Sequence, residues 1–141
     1  MIKPKKTIQK IGEYELRIEE YPPEAGNKIW FELIDGKKRV IALVYGQRTN
    51  ESYWVGDFRF GPIVQLTNIT KTKIAANLWQ SIEAHLRTLG ITKIEGTTNS
   101  RFAKFMEKRG HKIVSEDKAG IRMEGNLAGS IKKIGGFKRR P

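Results

Sequence analysis

Apolar and polar positions alternate through the first half of the chain in the pattern of β-strands. An apolar residue at every second position, with charged residues between, is typical of a strand that buries one face. The dipeptide Asp35-Gly36 separates two such stretches and is a strong hairpin signal. We therefore predict an antiparallel meander. Its strands are residues 13–21, 29–34, 39–45, 53–60 and 63–69.

A long amphipathic helix is the clearest predicted element of the second half. Apolar residues recur over residues 72–89 with the period of about 3.6 that places them on one helix face. Thr70 or Thr72 is expected to cap the start of this helix, and Gly90 stands where a left-handed residue often ends one. The predicted apolar face consists of Ile74, Ala75, Leu78, Ile82, Leu86 and Leu89.

The remaining sequence predicts a second, shorter helix between strands. Asn99 or Ser100 is a suitable cap for a helix that carries Phe102, Phe105 and Met106. The elements together predict an α/β (α+β) fold with a mixed, mostly antiparallel sheet, a long crossover helix and a short second helix. The later strands are predicted at residues 91–97, 112–115 and 119–127.

The net charge of the chain indicates the kind of partner that it binds. The chain has 27 Lys and Arg against 15 Asp and Glu, a net charge of +12, which favours a polyanion such as DNA or RNA, or a place in a larger protein assembly. Basic residues concentrate at the ends, so we predict a basic N-terminal arm at residues 1–12, a domain at 13–127 and a basic, Gly-containing tail at 128–141. The residues expected to bind nucleic acid are Lys3, Lys5, Lys6, Lys132, Lys133, Lys138, Arg139 and Arg140.

Composition also excludes several kinds of functional site. The chain has no cysteine, which excludes a disulfide framework and a thiolate nucleophile. Its histidines, His85 and His111, are not spaced as metal ligands, so no metal site is expected. No apolar run has the length of a membrane span and no leader-like segment is present. We therefore expect a cytoplasmic protein without a membrane partner.

Two segments carry the motifs of a known family. The first is residues 70–75 (Thr-Lys-Thr-Lys-Ile-Ala), at the start of the long helix. The second begins at Asn99 and continues through Phe105 to Gly110 and His111. In this order, the motifs resemble the back half of the GCN5-related N-acetyltransferases (the GNAT family), over about residues 64–127.

The resemblance implies an acetyl-CoA site at the start of the long helix. In the family, backbone N–H groups of a glycine-containing loop hold the cofactor pyrophosphate at the positive end of that helix. Lys73 stands here where the first glycine is usual, and Lys71 and Lys73 can instead hold a phosphate as point charges. An ordinary helix start with exposed lysines is the alternative. The implied cofactor-binding residues are Ile69, Thr70, Lys71, Lys73, Ile74, Ala75, Asn99 and Phe105.

The residues of this chain differ from the family at a catalytic position. The tyrosine that often protonates the departing thiolate in the family is replaced by Met106, which has no titratable proton. Strand order brings Glu32, Glu51 and Asp57 within reach of the site as general bases, and Asp57 is the preferred candidate. His111 is the second catalytic candidate. Ion pairing by Asp57, and packing of His111 where phenylalanine is usual, are the alternatives.

Family members usually have one or two helices between their first two strands, where this chain has only residues 22–28. Small phage-encoded proteins that resemble the family, some of them virion components, are shortened in a similar way. Three functions stay open: a divergent acyl-CoA-dependent N-acetyltransferase, an enzyme that modifies DNA or RNA, and a protein that has lost catalysis and binds nucleic acid or joins an assembly. We favour the last, located in the cytoplasm, or in the virion if the chain is phage-encoded.

Overall fold

The computed structural model describes residues 3–61 and 66–127, which contain strands, two α-helices and one 3-10 turn, Pro23–Ala25. In the sheet the strands follow the order β1-β2-β3-β4-β5-β6-β8-β7. β5 and β6 are parallel and joined through α1, whereas β1–β2, β2–β3, β3–β4, β6–β8 and β7–β8 are antiparallel. The predicted fold class is therefore confirmed. The elements are β1 (Lys5–Ile11), β2 (Tyr14–Glu20), β3 (Lys28–Ile34), β4 (Val40–Thr49), β5 (Ser52–Phe60), α1 (Asn68–Thr88), β6 (Lys93–Thr98), α2 (Ser100–Lys108), β7 (Lys112–Asp117) and β8 (Gly120–Asn126).

These elements fall into two compact units. The first lies within Met1–Arg48 and Gly56–His85, and the second within Thr49–Val55 and Leu86–Pro141. Each unit buries an apolar core of its own, and this is where most of its stability originates.

The first unit buries one side of its strands against α1. The rings of Phe58 and Trp79 meet edge to face with 5.7 Å between centroids, and those of Phe31 and His85 do the same at 6.0 Å. His85 Nε2 also lies 3.0 Å from a carboxylate oxygen of Glu20, so this histidine is packed between helix and strands. The buried apolar side chains of this unit include Leu16, Ile18, Ile29, Phe31, Leu33, Ile41, Val44, Ile74, Leu78, Trp79 and Ile82.

The second unit gathers its core around β6, β8 and α2. Tyr53 is fully buried there, and this burial raises the pKa of its phenol. Leu127 N donates to Thr92 O at 2.8 Å, which joins the end of β8 to the residue before β6. The other buried apolar side chains are Leu86, Ile91, Ile94, Ala103, Met106, Ile121, Met123 and Leu127.

The turn between β3 and β4 forms where the sequence predicts a hairpin. A carboxylate oxygen of Asp35 accepts the backbone N–H groups of Lys37 at 2.9 Å and Arg39 at 2.8 Å, and the other oxygen accepts Arg39 Nε at 2.8 Å. Backbone N–H bonds favour the charged carboxylate, so they lower the pKa of Asp35, with the Arg39 N–H as the main cause.

Both helices end at a left-handed glycine, which the sequence analysis predicted for Gly90. Gly90 has φ 79° and Gly110 has φ 95°. After α1, Ile91 N donates to Leu86 O at 3.1 Å; after α2, His111 N donates to Met106 O at 3.1 Å. Each is a Schellman motif, which satisfies carbonyl groups that the helix end leaves open.

The predicted N-terminal arm is in part a strand. Lys5–Ile11 forms β1, which pairs with β2 over its whole length. The sequence interpretation missed this strand because its lysines look like a solvated surface. In the structure Lys5 lies opposite Glu20, Lys6 opposite Glu19 and Lys10 opposite Glu15, so opposite charges match across the two strands.

Two other predicted boundaries are wrong. Residues 68 and 69 belong to α1 and not to a strand, because the helix begins at Asn68; residues 62–65 of that predicted strand lie outside the described residues. β4 continues to Thr49, beyond residue 45, where the predicted strand ends. The predicted basic tail at residues 128–141 also lies outside the described residues.

Candidate functional site

The start of α1 is capped by Thr67, not by Thr70 or Thr72. The Thr67 hydroxyl accepts the backbone N–H of Thr70 at 3.1 Å, and its carbonyl accepts the N–H of Lys71 at 2.9 Å. Thr72 instead donates its hydroxyl to Asn68 O at 2.9 Å. Two of the N–H groups at this helix start are therefore already bonded within the protein.

Residues 70–75, which match the cofactor loop of the resemblance, form the first turns of α1. From Thr72 onward, each backbone N–H is placed to bond the carbonyl four residues earlier in the helix. These N–H groups are therefore not available to a phosphate, which would contact side chains instead. Ile74 and Ala75 are buried in the core, whereas Ile69 is 71% exposed.

Lys71 and Lys73 are the charged groups at this helix start. The Lys71 ammonium lies 5.5 Å from the centroid of the Phe60 ring, a cation–π contact, and Lys73 is exposed. Two cations beside the positive end of a helix favour an anion. The side chains at the start of α1 therefore present positive charge to solvent.

Asn99 and Phe105 both have structural roles in α2, which belongs to the second unit. The Asn99 side-chain oxygen accepts the backbone N–H of Phe102 at 2.9 Å and so caps the helix, one of the two caps that the sequence predicts. The ring of Phe105 stacks on that of Phe102 at 5.5 Å with 24° between their planes. Both predicted cofactor contacts therefore have a structural task in this helix.

Met106 and His111 face the core of the second unit. Met106 is 4% exposed and His111 is 7% exposed. The imidazole of His111 lies against Gly125 of β8, whose α-carbon leaves no room for a side chain. His111 occupies a packing position between α2 and β8, which is the alternative that the sequence analysis left open for it.

Asp57, the preferred general-base candidate, is in an ion pair. Its carboxylate lies 2.9 Å from a guanidinium nitrogen of Arg59, with side-chain exposures of 38% for Asp57 and 58% for Arg59. The two residues are two apart on β5 and so share a face of that strand. Glu32, the other candidate in the first unit, lies in the middle of β3 opposite Leu43.

Glu51 belongs to a polar depression in the second unit. Its carbonyl accepts the N–H groups of Thr92 at 2.8 Å and Lys93 at 3.2 Å, which ties the β4–β5 turn to the start of β6. Thr49, Asn50, Glu51, Ser52, Thr92 and Lys93 line this depression. Neither Asp57 nor His111 is part of it.

A row of cations lies on α2, and the sequence analysis did not identify it. Arg101, Lys104 and Lys108 are three and four residues apart, a spacing that puts them on one helix face, and all three are exposed. We call these three residues the α2 basic stripe. The signal was present in the sequence, because Ala103 and Met106 mark the opposite, buried face.

The residues predicted to contact nucleic acid lie in different parts of the chain, and some lie outside the described residues. Lys5 and Lys6 lie in β1, and Lys6 Nζ is 3.9 Å from a carboxylate oxygen of Glu19. Lys3 precedes the strand and is exposed. Five contacts lie outside the described residues, namely Lys132, Lys133, Lys138, Arg139 and Arg140.

The described part of the chain, residues 3–61 and 66–127, contains neither a metal-binding cluster nor a membrane-spanning helix. No group of three or more His, Asp or Glu side chains is placed to hold a metal ion there. No helix in the same residues is long and apolar enough to cross a membrane.

Comparison with known proteins gives matches only among solved structures. No model of a known protein family matches the sequence, and no curated protein matches it. A GNAT-family acetyltransferase from Staphylococcus aureus Mu50 superposes with a TM-score of 0.59 at 12% identity, over 74% of this chain and 70% of the other. The ribosomal-protein-S18-alanine N-acetyltransferase from Escherichia coli gives 0.58 at 13% identity, over 71% and 69%.

A third structure is solved with a cofactor. The PaiA N-acetyltransferase from Thermoplasma acidophilum, in complex with coenzyme A, gives a TM-score of 0.56 at 17% identity, over 70% of this chain and 60% of its own. Identities this low show the fold alone. The chain has the GNAT fold that its two motif segments predict.

Proposed function

We propose that this GNAT-fold protein binds a nucleic acid through the α2 basic stripe and does not transfer an acyl group. The observation that carries the proposal is the arrangement of Arg101, Lys104 and Lys108 on one exposed face of α2. No ion pair with another described residue engages these three side chains. A row of unpaired cations is the usual means by which proteins contact phosphates without reading sequence.

The lysines of β1 are less suited to bind a phosphate backbone than the α2 basic stripe. Each of Lys5, Lys6 and Lys10 lies opposite a glutamate of β2, so their charge is offset locally. The stripe has one acidic neighbour on α2, Glu107, among the nine residues of the helix. A phosphate backbone would therefore meet a stronger local positive charge at α2 than at β1.

Three residues support the loss of catalysis. Met106 occupies the position of the family's general acid, has no proton to give and is buried. Asp57 is held in an ion pair with Arg59. His111 is packed against Gly125. Met106 and His111 therefore have packing roles, and the carboxylate of Asp57 lies beside a partly exposed guanidinium.

The test compares two variants with the same loss of charge. The stripe variant carries Arg101→Ala, Lys104→Ala and Lys108→Ala; the control carries Lys5→Ala, Lys6→Ala and Lys10→Ala. Binding to labelled double-stranded DNA and to single-stranded RNA is measured by fluorescence anisotropy across a series of salt concentrations. The plot of the logarithm of the DNA-binding constant against the logarithm of salt concentration has a negative slope. The stripe variant should make this slope less steep by about 2 to 3, because about 0.9 counterion is released per phosphate contact. Equal losses in both variants, or no binding by the natural protein, would contradict the proposal.

A second candidate, an acyl-CoA-dependent N-acetyltransferase, is favoured by Lys71 and Lys73 at the start of α1. Calorimetric titration with acetyl-CoA and with CoA tests it. Micromolar binding that is lost in a Lys71→Ala/Lys73→Ala variant would support a cofactor site, and acetyl transfer to an amine would then overturn the proposal of lost catalysis. No binding at millimolar cofactor would remove the candidate. This titration is independent of the stripe variant, so the two functions are tested separately.

A further inference from the structure

We propose that the first unit has a binding site for an uncharged carbohydrate on the sheet face that points away from α1. The centre of this site is formed by Tyr21, Trp30 and Tyr45, which we call the aromatic row. The ring centroids of Tyr21 and Trp30 are 6.2 Å apart, and those of Trp30 and Tyr45 are 5.5 Å apart. Rings in contact on neighbouring strands give this face an apolar strip from the end of β2 to β4.

Trp30 lies on the side of β3 that the core does not use. Its neighbours along the strand, Ile29 and Phe31, are 3% and 0% exposed, whereas Trp30 is 38% exposed. Successive strand residues point to opposite faces, so Trp30 points away from α1. Tyr45 is directly opposite Trp30 on β4 and shares its face. The indole is therefore open to a ligand from solvent.

One charge of each sign flanks Trp30 along β3. Lys28 and Glu32 lie two residues before it and two residues after it, and therefore on the same face. Neither of them forms an ion pair with another described residue. Arg17 is opposite Glu32 on β2, but its Nε lies 3.3 Å from a carboxylate oxygen of Glu15 instead. The ammonium and the carboxylate beside the indole are thus available to a ligand.

This pair of charges favours an uncharged ligand that is rich in hydroxyl groups. A sugar hydroxyl can accept a hydrogen bond from the ammonium of Lys28 and donate one to the carboxylate of Glu32. A phosphate would be repelled by Glu32, and an organic cation would be repelled by Lys28. The amide of Gln47, opposite Lys28 on β4, adds a donor and an acceptor. The C–H groups of a sugar ring can pack on the negative faces of the aromatic row.

The rings of the aromatic row are held in place by contacts within the protein. The Tyr21 hydroxyl donates to a carboxylate oxygen of Glu19 at 3.2 Å. The Tyr45 ring lies beside Gly56 of β5, where a Cβ would be 3.5 Å from it. Ordered side chains lose little conformational entropy when a ligand binds. The contact surface is small, so we expect reversible binding at micromolar to millimolar affinity.

The first test is the retardation of the protein in native gels that contain a dissolved polysaccharide. The probes are hydroxyethyl cellulose, glycogen and galactomannan, and at least one of them should retard the natural protein. Trp30→Ala should raise the dissociation constant about tenfold or more, whereas Trp30→Phe keeps a ring and should retain most of the affinity. Circular dichroism verifies that the variants are folded. No retardation by any of the three probes, or equal retardation of the natural protein and Trp30→Ala, would overturn the proposal.

The second test uses the two charges to identify the class of ligand. Lys28→Ala and Glu32→Ala each remove a hydrogen-bonding partner of an uncharged sugar, so each should weaken polysaccharide binding about threefold to tenfold. Lys37→Ala is the matched control, because Lys37 is an exposed lysine in the β3–β4 turn, and it should have no effect. Polysaccharide binding that both charge variants leave unchanged would contradict the assigned contacts.

The same variants are titrated with a single-stranded oligothymidine by fluorescence anisotropy. If the aromatic row bound a nucleic acid, Trp30→Ala would weaken that binding, and Glu32→Ala would strengthen it by removing a negative charge. We expect neither change, because the proposed ligand of this face is uncharged. Both changes together would replace the carbohydrate by a nucleic acid as the ligand and so overturn the proposal.

Discussion

The imidazole of His111 occupies the space that a side chain at position 125 would need, so these two residues pack as a ring against a bare α-carbon. His111 follows the left-handed Gly110 that ends α2, and Gly125 lies near the end of β8. The contact fixes the connection after α2 against β8. It also explains why this part of β8 has a glycine.

Replacing Gly125 with alanine should therefore destabilise the protein. The new methyl group would overlap Nδ1 and Cε1 of His111, and overpacking of this kind usually costs about 1–3 kcal/mol. Urea denaturation of Gly125→Ala measures the cost. Gly36→Ala is the control, because a methyl group there meets no atom within 4 Å, and it should change stability little. The double variant Gly125→Ala/His111→Ala should lose less than the sum of its single changes, and strict additivity would contradict the packing account.

The β3–β4 turn should lose its stabilising effect in acid. Hydrogen bonds in the folded state lower the pKa of the Asp35 carboxyl, so its contribution is complete above its unfolded pKa of about 4 and is lost as the pH falls through the lower folded value. The difference in unfolding free energy between the natural protein and Asp35→Ala should therefore shrink between pH 6 and pH 2. A difference that stays constant over this range would show that the carboxylate charge is not the stabilising group.

The N-terminal residues should be necessary for stability. Deleting residues 1–12 removes β1, with its seven residue pairs to β2 and its half-buried side chains, and should lower the free energy of unfolding by about 2 kcal/mol or more. Deleting residues 1–3, which precede the strand, is the control and should have little effect. Identical unfolding curves for the two truncations would mean that β1 adds nothing to the fold.

The Asp57–Arg59 pair should be weak. Both side chains are partly exposed, and pairs of this kind usually contribute about 0.2–1 kcal/mol. A double-mutant cycle with Asp57→Asn and Arg59→Ala measures their coupling. If Asp57 were instead a general base, Asp57→Asn would abolish an acetyl-transfer activity of the natural protein while leaving its stability almost unchanged.

Restoring a tyrosine at position 106 should not create a catalyst. Met106 is buried, and the larger Tyr would overpack this site at a cost of about 1–3 kcal/mol. Phe105→Tyr, at the neighbouring half-buried position, is the control and should be tolerated better. Acetyl transfer by Met106→Tyr, absent from the natural protein, would show that this single residue had been the missing acid.

The features that the sequence predicted are those set by neighbouring residues. Asp35 bonds the N–H groups two and four residues ahead of it, and Asn99 caps a helix that begins at the next residue. Gly90 and Gly110 end helices by their own left-handed conformation. Short-range chemistry of this kind leaves a clear pattern in the chain, and it was sufficient for the helices, the hairpin and the fold class.

The features that the sequence did not predict depend on distant partners. β1 is a strand because the glutamates of β2 lie opposite its lysines, and no pattern within residues 1–12 contains that information. Ile69 resembles a strand residue, yet the Thr67 cap starts the helix before it. The motifs located His111 but left its task open between catalysis and packing, because that task is set by Gly125 on another strand.

The lysines of β1 have a further consequence for association with a second copy of the chain. An edge strand offers unpaired N–H and C=O groups to another strand, and lysine on that strand discourages the pairing. Centred antiparallel pairing of β1 with its own copy would place Lys10 opposite Lys5 or Lys6, so that edge repels itself. Exchange of these three lysines for threonine, which unlike alanine favours strands, would remove this repulsion, and we expect such a variant to self-associate at concentrations where the natural protein does not.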